Sequence, residues 1–349
     1  MKIAIVNDVA AIRHLLNQII TEKSNHTVLW SAENGKVAVE KASEQAPDMI
    51  LMDLFMPVMD GVEATEKIMK TSPCAILVVT ASVSENADMV FRAMSHGALD
   101  AISTPNLNPL NKNSNIDEFF NKLSIVERLI SSSDRLKGTR GIPTTITHTD
   151  DLPLVCIGSS TGGPGALVNI LSNIPETIDA AFVVIQHVDR NFTQGLCDWL
   201  DAQTSLKVTI AAAGIKPQKG HVYIAGGDEH LSISETGQFL LDMEPIEYVY
   251  RPSINISFES ASRHWPGRTI GVLLTGMGSD GAEGLLSLKN TGAHTIAQDK
   301  DSCAVFGMPR AAINLDAASS VLPVEKIAND ILNNLDTDKN KVNLQANGS

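Results

Sequence analysis

Three short apolar runs, Leu154-Val-Cys-Ile157, Ala181-Phe-Val-Val-Ile185 and Thr269-Ile-Gly-Val-Leu-Leu274, are each followed by a polar side chain capable of chemistry. Unbroken apolar content over so short a length, rich in β-branched residues, is the pattern of strands buried on both faces in a helix-covered parallel sheet. Parallel strands present their carboxyl ends on one edge, so Ser160, His187 and Asp280, which follow the three runs, are expected to meet there. A serine, an imidazole and a carboxylate brought together are candidates for a hydrolytic triad.

The amino-terminal part repeats the same design without that serine. Strands are expected at Ile3 to Val6, Thr27 to Ser31, Met49 to Met52, Ala75 to Thr80 and Ala98 to Ile102. Amphipathic helices are expected at Ala11 to Thr21, Lys36 to Gln45, Gly61 to Thr71 and Ser84 to Ser95. Such alternation predicts a doubly wound parallel sheet. Ile116, Phe119, Phe120, Leu123, Val126 and Ile130 share one helical face and predict a closing helix. The resulting division is a first α/β domain over 1–131, a linker over 132–151 with Ser-Ser-Ser and Gly-Ile-Pro-Thr-Thr composition, a second doubly wound α/β domain over 152–335, and a polar, disordered tail over 336–349. Gly220 to Gly227 and Leu231 to Leu241 read as an antiparallel excursion of the second domain, with a tight turn at Glu235-Thr-Gly237.

With 349 residues there is enough chain for two cores. A formal charge of −13 opposes binding to nucleic acid or anionic membrane. No run has the length of a transmembrane helix or a secretory signal, and the four cysteines lack CxxC spacing, so a soluble cytoplasmic protein with reduced thiols is expected, monomeric in the absence of a heptad.

In the first domain, Asp8 follows the first strand and Asp53 the third, on the same sheet edge. Two carboxylates converging there suit a divalent cation, Mg²⁺ by preference, with Asp53 able to act as a nucleophile. Met52-Asp-Leu-Phe-Met-Pro-Val-Met-Asp-Gly61, with Asn7-Asp8 before it and Thr80-Ala81 after it, resembles the receiver domain of two-component response regulators. The resemblance implies that Asp53 accepts the phosphoryl group, that Asp8, Asp53 and the Phe55 carbonyl bind Mg²⁺, and that Thr80 reports phosphorylation. Asn7 stands where receivers usually carry a second acid, which lowers metal affinity. Thr104 stands where they carry a lysine, which removes a cation that would pair with phosphoryl oxygens.

In the second domain, Gly158-Ser-Ser-Thr-Gly162 fits the G-x-S-x-G turn that exposes its central serine, making Ser160 the nucleophile in preference to Ser159. A glycine-rich strand-to-helix turn is also a phosphate cradle. The placement of His187 and Asp280 favours the hydrolase, although a histidine after a strand is often structural and Asp280 would also serve to cap the helix starting near Gly281. The chain order Ser, His, Asp differs from the Ser, acid, His order of α/β-hydrolases. Ile157-Gly-Ser-Ser-Thr-Gly-Gly163, Ile185-Gln-His187, Tyr250-Arg-Pro-Ser253, Leu274-Thr-Gly-Met-Gly-Ser-Asp-Gly281, Gly292-Ala-His-Thr-Ile-Ala-Gln-Asp299 and Val305-Phe-Gly-Met-Pro309 resemble the chemotaxis methylesterases of the CheB family.

That resemblance implies a phosphorylation-regulated protein-glutamate methylesterase and protein-glutamine deamidase acting on the cytoplasmic helices of methyl-accepting chemoreceptors, with a chemosensory histidine kinase as phosphodonor. Ser160, His187 and Asp280 would form its triad and need no metal. The Met277 backbone N–H, with Thr161 beside the nucleophile, would serve the oxyanion. Asn255 replaces the family's usual aspartate, with an effect expected on substrate contacts or local charge. Asn7-Asp8 and Ser103-Thr-Pro105 together resemble the branch serving Wsp-type chemosensory systems. A catalytically inactive signalling adaptor is the alternative from another class.

Overall fold

The computed structural model describes residues 1–80, 87–105, 116, 119–120, 122–124, 127, 152–188, 190–245 and 250–346, with the side chains of 191 and 337–346 excepted. It divides into two units, Met1–Asp134 and Arg135–Ser349. The expected linker, the Val126 and Ile130 positions of the closing helix and the start of the helix expected at Ser84 lie outside the described residues.

The first unit is a five-stranded parallel sheet in the order β2-β1-β3-β4-β5, formed by β1 (Lys2–Val6), β2 (Thr27–Ala32), β3 (Met49–Met52), β4 (Ala75–Thr80) and β5 (Asp100–Ser103). Helices α1 (Ala10–Lys23), α2 (Gly35–Glu44), α3 (Gly61–Thr71) and α4 (Ala87–Ser95) connect them. β3 is buried at every position, as the uninterrupted Met-Ile-Leu-Met run requires. Phe119 and Leu123 are fully buried against Ile3, Ile5, Leu16 and Ile19, so the closing helix completes this core. The strand order reverses between β1 and β3, and the loops leaving those strands carry Asp8 and Asp53.

The second unit is a seven-stranded sheet in the order β14-β13-β12-β6-β7-β9-β8, all neighbours parallel. Its strands are β6 (Leu154–Ser159), β7 (Ala181–Gln186), β8 (Lys207–Ile210), β9 (His221–Ile224), β12 (Thr269–Leu273), β13 (His294–Gln298) and β14 (Ser320–Leu322). The helices are α5 (Gly163–Leu171), α6 (Arg190–Gln203), α7 (Ile254–His264), α8 (Ala282–Asn290), α9 (Met308–Asn314) and α10 (Val324–Ala346). β6, β7 and β12 are buried throughout, and β6 lies between the other two. The chain first builds outward from β6 through β7 and later returns to β6's other side with β12, so the carboxyl end of β6 is the switch point at which open α/β sheets bind ligands.

One expectation needs correction. Among the described residues the antiparallel pair is β10 (His230–Ile233) with β11 (Phe239–Asp242), closed by a turn in which Gly237 has φ +74°. Gly220 to Gly227 instead contains β9, whose buried Val222, Tyr223 and Ile224 insert between β7 and β8 in parallel register. α10 is described past residue 336, to Ala346, within the stretch expected as a polar tail. Asp336 to Ala346 contains no proline or glycine, and polar composition does not by itself stop a helix already begun.

Candidate active site

Ser160 and His187 are brought side by side by strand register. Ser159 on β6 is the Cα partner of Gln186 on β7, and the His187 N–H continues the ladder to the Ser159 carbonyl at 3.0 Å. Ser160 and His187 are therefore the next residues along neighbouring strands, which run about 4.8 Å apart. Past Ser160 the backbone turns sharply: Gly162 has φ +77°, and Gly163 donates its N–H to the Ser160 carbonyl at 2.7 Å as α5 begins. Ser159 is fully buried and its hydroxyl donates to Gln186 Oε1 at 2.6 Å, whereas the Ser160 hydroxyl has no hydrogen bond among the described residues. Of the two serines, Ser160 has the uncommitted oxygen.

Asp280 reaches the same place from the loop after β12. His187 Nε2 lies 2.9 Å from its Oδ2, with both side chains nearly buried. The carboxylate also accepts from Ser253 Oγ at 2.9 Å, from the backbone N–H groups of Ile254 and Asn255 at 2.8 and 3.0 Å, and from its neighbour Gly281 at 3.0 Å. Burial alone would raise its pKa. The His187 hydrogen bond and charge, with the Ile254 and Asn255 donors, outweigh burial and hold Asp280 below the usual carboxylate range.

An ionised carboxylate can only accept, so Nε2 carries a hydrogen and, in the neutral imidazole, the lone pair is left on Nδ1. That nitrogen is buried and has no hydrogen-bond partner among the described residues. An orphaned buried acceptor costs about 1–3 kcal/mol, a cost that persists in native proteins at sites with a use for it. The sense is opposite to chymotrypsin-type triads, where Nδ1 faces the acid. Tyr250 stacks on the imidazole with centroids 4.2 Å apart and planes 8° from parallel, so ring packing and the Asp280 bond together restrict its rotation. Burial, and then the Asp280 charge, raise the Tyr250 pKa and keep its hydroxyl neutral.

Asp280 does not serve α8 alone, as a simple helix cap would. It sits at the N-terminus of α7, where the Ile254 and Asn255 N–H groups meet it, while Asn255 Oδ1 accepts from Gly284 N–H at 2.8 Å in the first turn of α8. Each helix start is thus capped from the other. Asn255 was expected to act on substrate contacts or local charge. Its hydrogen bonds also tie it to the helix pair that holds Asp280.

The backbone around Ser160 is anchored by Thr275. Its carbonyl accepts the Ser160 N–H at 3.0 Å, its hydroxyl donates to the Thr161 carbonyl at 2.9 Å, and its own N–H donates to Gln298 Oε1 at 2.8 Å. The Ser160 N–H is consequently occupied. Thr161 and Met277 have backbone N–H groups without a hydrogen bond among the described residues. A Cβ on Gly276 would come within 2.7 Å of Ser160 Cβ, and one on Gly307 within 3.1 Å of Met277 Cα, so glycines let the loop before Met277 lie directly against the serine. Neither Thr275 nor Gln298 stood out in the sequence. Their only signal there was membership of the motifs that follow two strands.

In the first unit, Asp53 is the residue after β3 and Asp8 the second after β1, with Val6 and Met52 in register. Asp53 Oδ1 accepts the Leu54 N–H at 2.7 Å, and Oδ2 accepts from the buried Asn7 amide at 2.8 Å. Burial raises the Asp53 pKa to about 6; hydrogen bonds from Leu54 and Phe55 oppose this and the Asp8 charge adds to it. Arg13, unnoticed in the sequence, donates from α1 to the Asn7 and Asp8 carbonyls at 2.6 and 3.0 Å and fixes the loop. Thr80 is buried at the end of β4, and its carbonyl accepts the Thr104 N–H at 2.9 Å. Among the described residues no group of three or more His, Cys, Asp or Glu side chains gathers to hold a metal. The oxygens that the receiver resemblance implies, from the Asp8 and Asp53 carboxylates and the Phe55 carbonyl, are the donor type that suits Mg²⁺ with several retained waters.

The four cysteines are free, and burial pushes the Cys156 thiol up to about 12, so it is inert. Among the described residues no helix is long and apolar enough to cross a membrane.

A response regulator receiver domain model matches residues 3–112 and a CheB methylesterase model residues 155–331. The chain is 47% identical over 330 residues to protein-glutamate methylesterase/protein-glutamine glutaminase 2 of Cupriavidus metallidurans, covering 94% of this chain and 96% of that one. It is 44% identical to the corresponding protein of the group 3 operon of Pseudomonas putida, over 94% of this chain and 97% of that one. Among solved structures it is similar to the Thermotoga maritima CheB methylesterase catalytic domain, at 40% identity, 51% of this chain, 96% of that chain and a TM-score of 0.49. The names of these relatives do not speak to a Wsp-type branch, which rests on Asn7-Asp8 and Ser103-Thr-Pro105 alone. With both models in order along it and relatives matched over nearly its whole length, the chain belongs to the CheB methylesterase family, a methylesterase domain preceded by a response regulator receiver.

Proposed function

We propose that the chain is a protein-glutamate methylesterase and protein-glutamine deamidase of chemoreceptor cytoplasmic helices, with a receiver over 1–131 that a chemosensory histidine kinase phosphorylates and a catalytic domain over 152–335. The observation that carries this reading is the orphaned Nδ1 of His187, whose Nε2 is bound to Asp280 and whose strand neighbour is Ser160.

Ser160 Oγ attacks the γ-carbonyl carbon of a glutamyl methyl ester while its proton passes to His187 Nδ1. The imidazolium is stabilised through Nε2 by Asp280. Charge on the former carbonyl oxygen is met by the Thr161 and Met277 N–H groups, which need no reorganisation to receive it. The tetrahedral centre collapses, the C–OCH₃ bond breaks, and His187 returns its proton to the leaving oxygen as methanol departs. A water then gives its proton to Nδ1 and attacks the acyl-serine, releasing the glutamate side chain and restoring Ser160. A glutaminyl amide follows the same path with ammonia as leaving group.

In the receiver, Asp53 is the phosphoryl acceptor and Thr80 the reporting hydroxyl. Mg²⁺, held by Asp8, Asp53 and the Phe55 carbonyl, would supply charge neutralisation to the incoming phosphoryl group. The Asn7 amide donates to Asp53 instead of adding a carboxylate, which lowers the cation's affinity without abolishing its site. Because Asp53 is raised, its contribution to stability is present below the unfolded carboxylate pKa of about 3.9 and is lost as pH rises through about 6. Mg²⁺ is therefore expected to raise the receiver's melting temperature at pH 8 and to do so progressively less below pH 6. Calorimetry across that range checks it, and a shift that persists in Asp53→Asn would put the cation elsewhere.

The function itself is tested by methanol release from a methylated chemoreceptor cytoplasmic fragment, and ammonia release from its glutamine form, with and without a small-molecule phosphodonor and Mg²⁺. Release that rises with phosphodonor is the expected result. A folded protein that releases neither product under either condition would be the non-catalytic adaptor.

A further inference from the structure

Gln186 lies between Ser160 and His187 and bonds to the backbone of both. Its Nε2 donates to the Ser160 carbonyl and to the His187 carbonyl, each at 2.9 Å, while its Oε1 accepts from Ser159 Oγ at 2.6 Å. The side chain is 1% exposed, and its two amide hydrogens and carbonyl oxygen are thereby all engaged in a dry setting. Ser160 and His187 stand one residue beyond the last strand-paired positions, where their N–H groups are still held by the Thr275 and Ser159 carbonyls but the paired register has ended. The Gln186 amide thus continues a cross-strand tie at the point where β6 and β7 diverge. Room for it is made on α5: a Cβ at Gly163 would collide with Gln186 Oε1 and would come within 2.9 Å of Ser159 Oγ.

We infer that Gln186 is a positioning residue for the hydrolysis, holding the peptide planes of Ser160 and His187 so that Oγ and Nδ1 face each other; this rests on the triad reading above. It touches no reacting atom. Its effect is on orientation, and misplacing a nucleophile against its base by about 1 Å costs about 100-fold in rate. The Ser160 carbonyl also accepts the Gly163 N–H at 2.7 Å, so what the amide adds is the link from that carbonyl across to the His187 carbonyl.

The test measures kcat and KM for methanol release from the methylated receptor fragment, using full-length Gln186→Met and Gln186→Glu beside wild type. Met removes both donors at similar length. Glu keeps the shape and the acceptor for Ser159 and replaces the amide donors. Both variants are expected to lower kcat by about 10- to 100-fold with KM changed by less than about 3-fold, a split that a purely structural residue would not give. Activity is referred to the folded fraction from circular dichroism, so partial unfolding of one variant leaves the other to decide. Wild-type kcat per folded molecule in either variant, or a change carried by KM, would overturn the proposal. A wild type that releases no methanol would instead overturn the triad reading on which it rests.

Discussion

Ser160→Ala is expected to abolish methanol release, with kcat reduced on the order of 10⁶-fold, because a nucleophile and its base act as one unit and neither works alone. The fold should not notice the change. Ser160 Oγ makes no hydrogen bond among the described residues, and the Ser160 N–H and carbonyl, which hold the turn through Thr275, Gly163 and Gln186, belong to the backbone and survive the substitution. The measurement pairs kcat with a thermal melt: activity lost with the melting temperature kept within about 1 °C is the expected signature, since surface-like deletions of an unpaired group change stability little. Residual phosphodonor-stimulated release in the folded variant would assign the nucleophile elsewhere, with Ser159 excluded by its burial and its bond to Gln186.

Asp280→Asn should give a different signature, with activity and stability falling together. The carboxylate serves five donors, three on Oδ1 and two on Oδ2, and an amide must turn its NH₂ toward one of those sets. With NH₂ at the Oδ2 position it opposes the Ile254 N–H and forces His187 Nε2 to accept. The hydrogen then moves to Nδ1, the nitrogen that should take the serine proton. The wrong tautomer lowers kcat by about 10⁴-fold. Loss of a charged acceptor at the start of α7 costs roughly 3 kcal/mol, seen as a lower midpoint in denaturant. The pH dependence has a definite sign. Asp280 is held below its unfolded value, so its stabilisation is complete above the unfolded pKa and is lost as pH falls through the folded one. The stability gap between wild type and Asp280→Asn should therefore be widest near neutrality and close in acid. A gap unchanged by acid would mean that charge is not what Asp280 contributes.

These two residues also separate what could be read along the chain from what could not. Ser160, His187 and Asp280 were legible because fully buried parallel strands have an unmistakable composition and release their next polar residues on one edge. The same reasoning located Asp8 and Asp53. Their neighbours were not legible. Gln186 is the last residue of an apolar run, Thr275 follows another, and Arg13 is one polar residue among several on α1; nothing in their local spacing distinguishes them from solvent-facing side chains. β9 was misplaced for a related reason. His221–Ile224 has the content of any short strand, and only its pairing between β7 and β8 gives it a direction.

Local composition by itself determined two α/β units and put a serine, a histidine and an aspartate on one sheet edge, because periodicity and β-branched content are properties of neighbouring residues. Only the tertiary structure decided that Asp280 binds Nε2 and leaves Nδ1 free, that α7 and α8 cap each other through Asp280 and Asn255, and that Gln186 ties the two strand ends. Each of these is a hydrogen bond between residues up to 93 positions apart. Its existence depends on strand register and burial, which no local window of the chain contains.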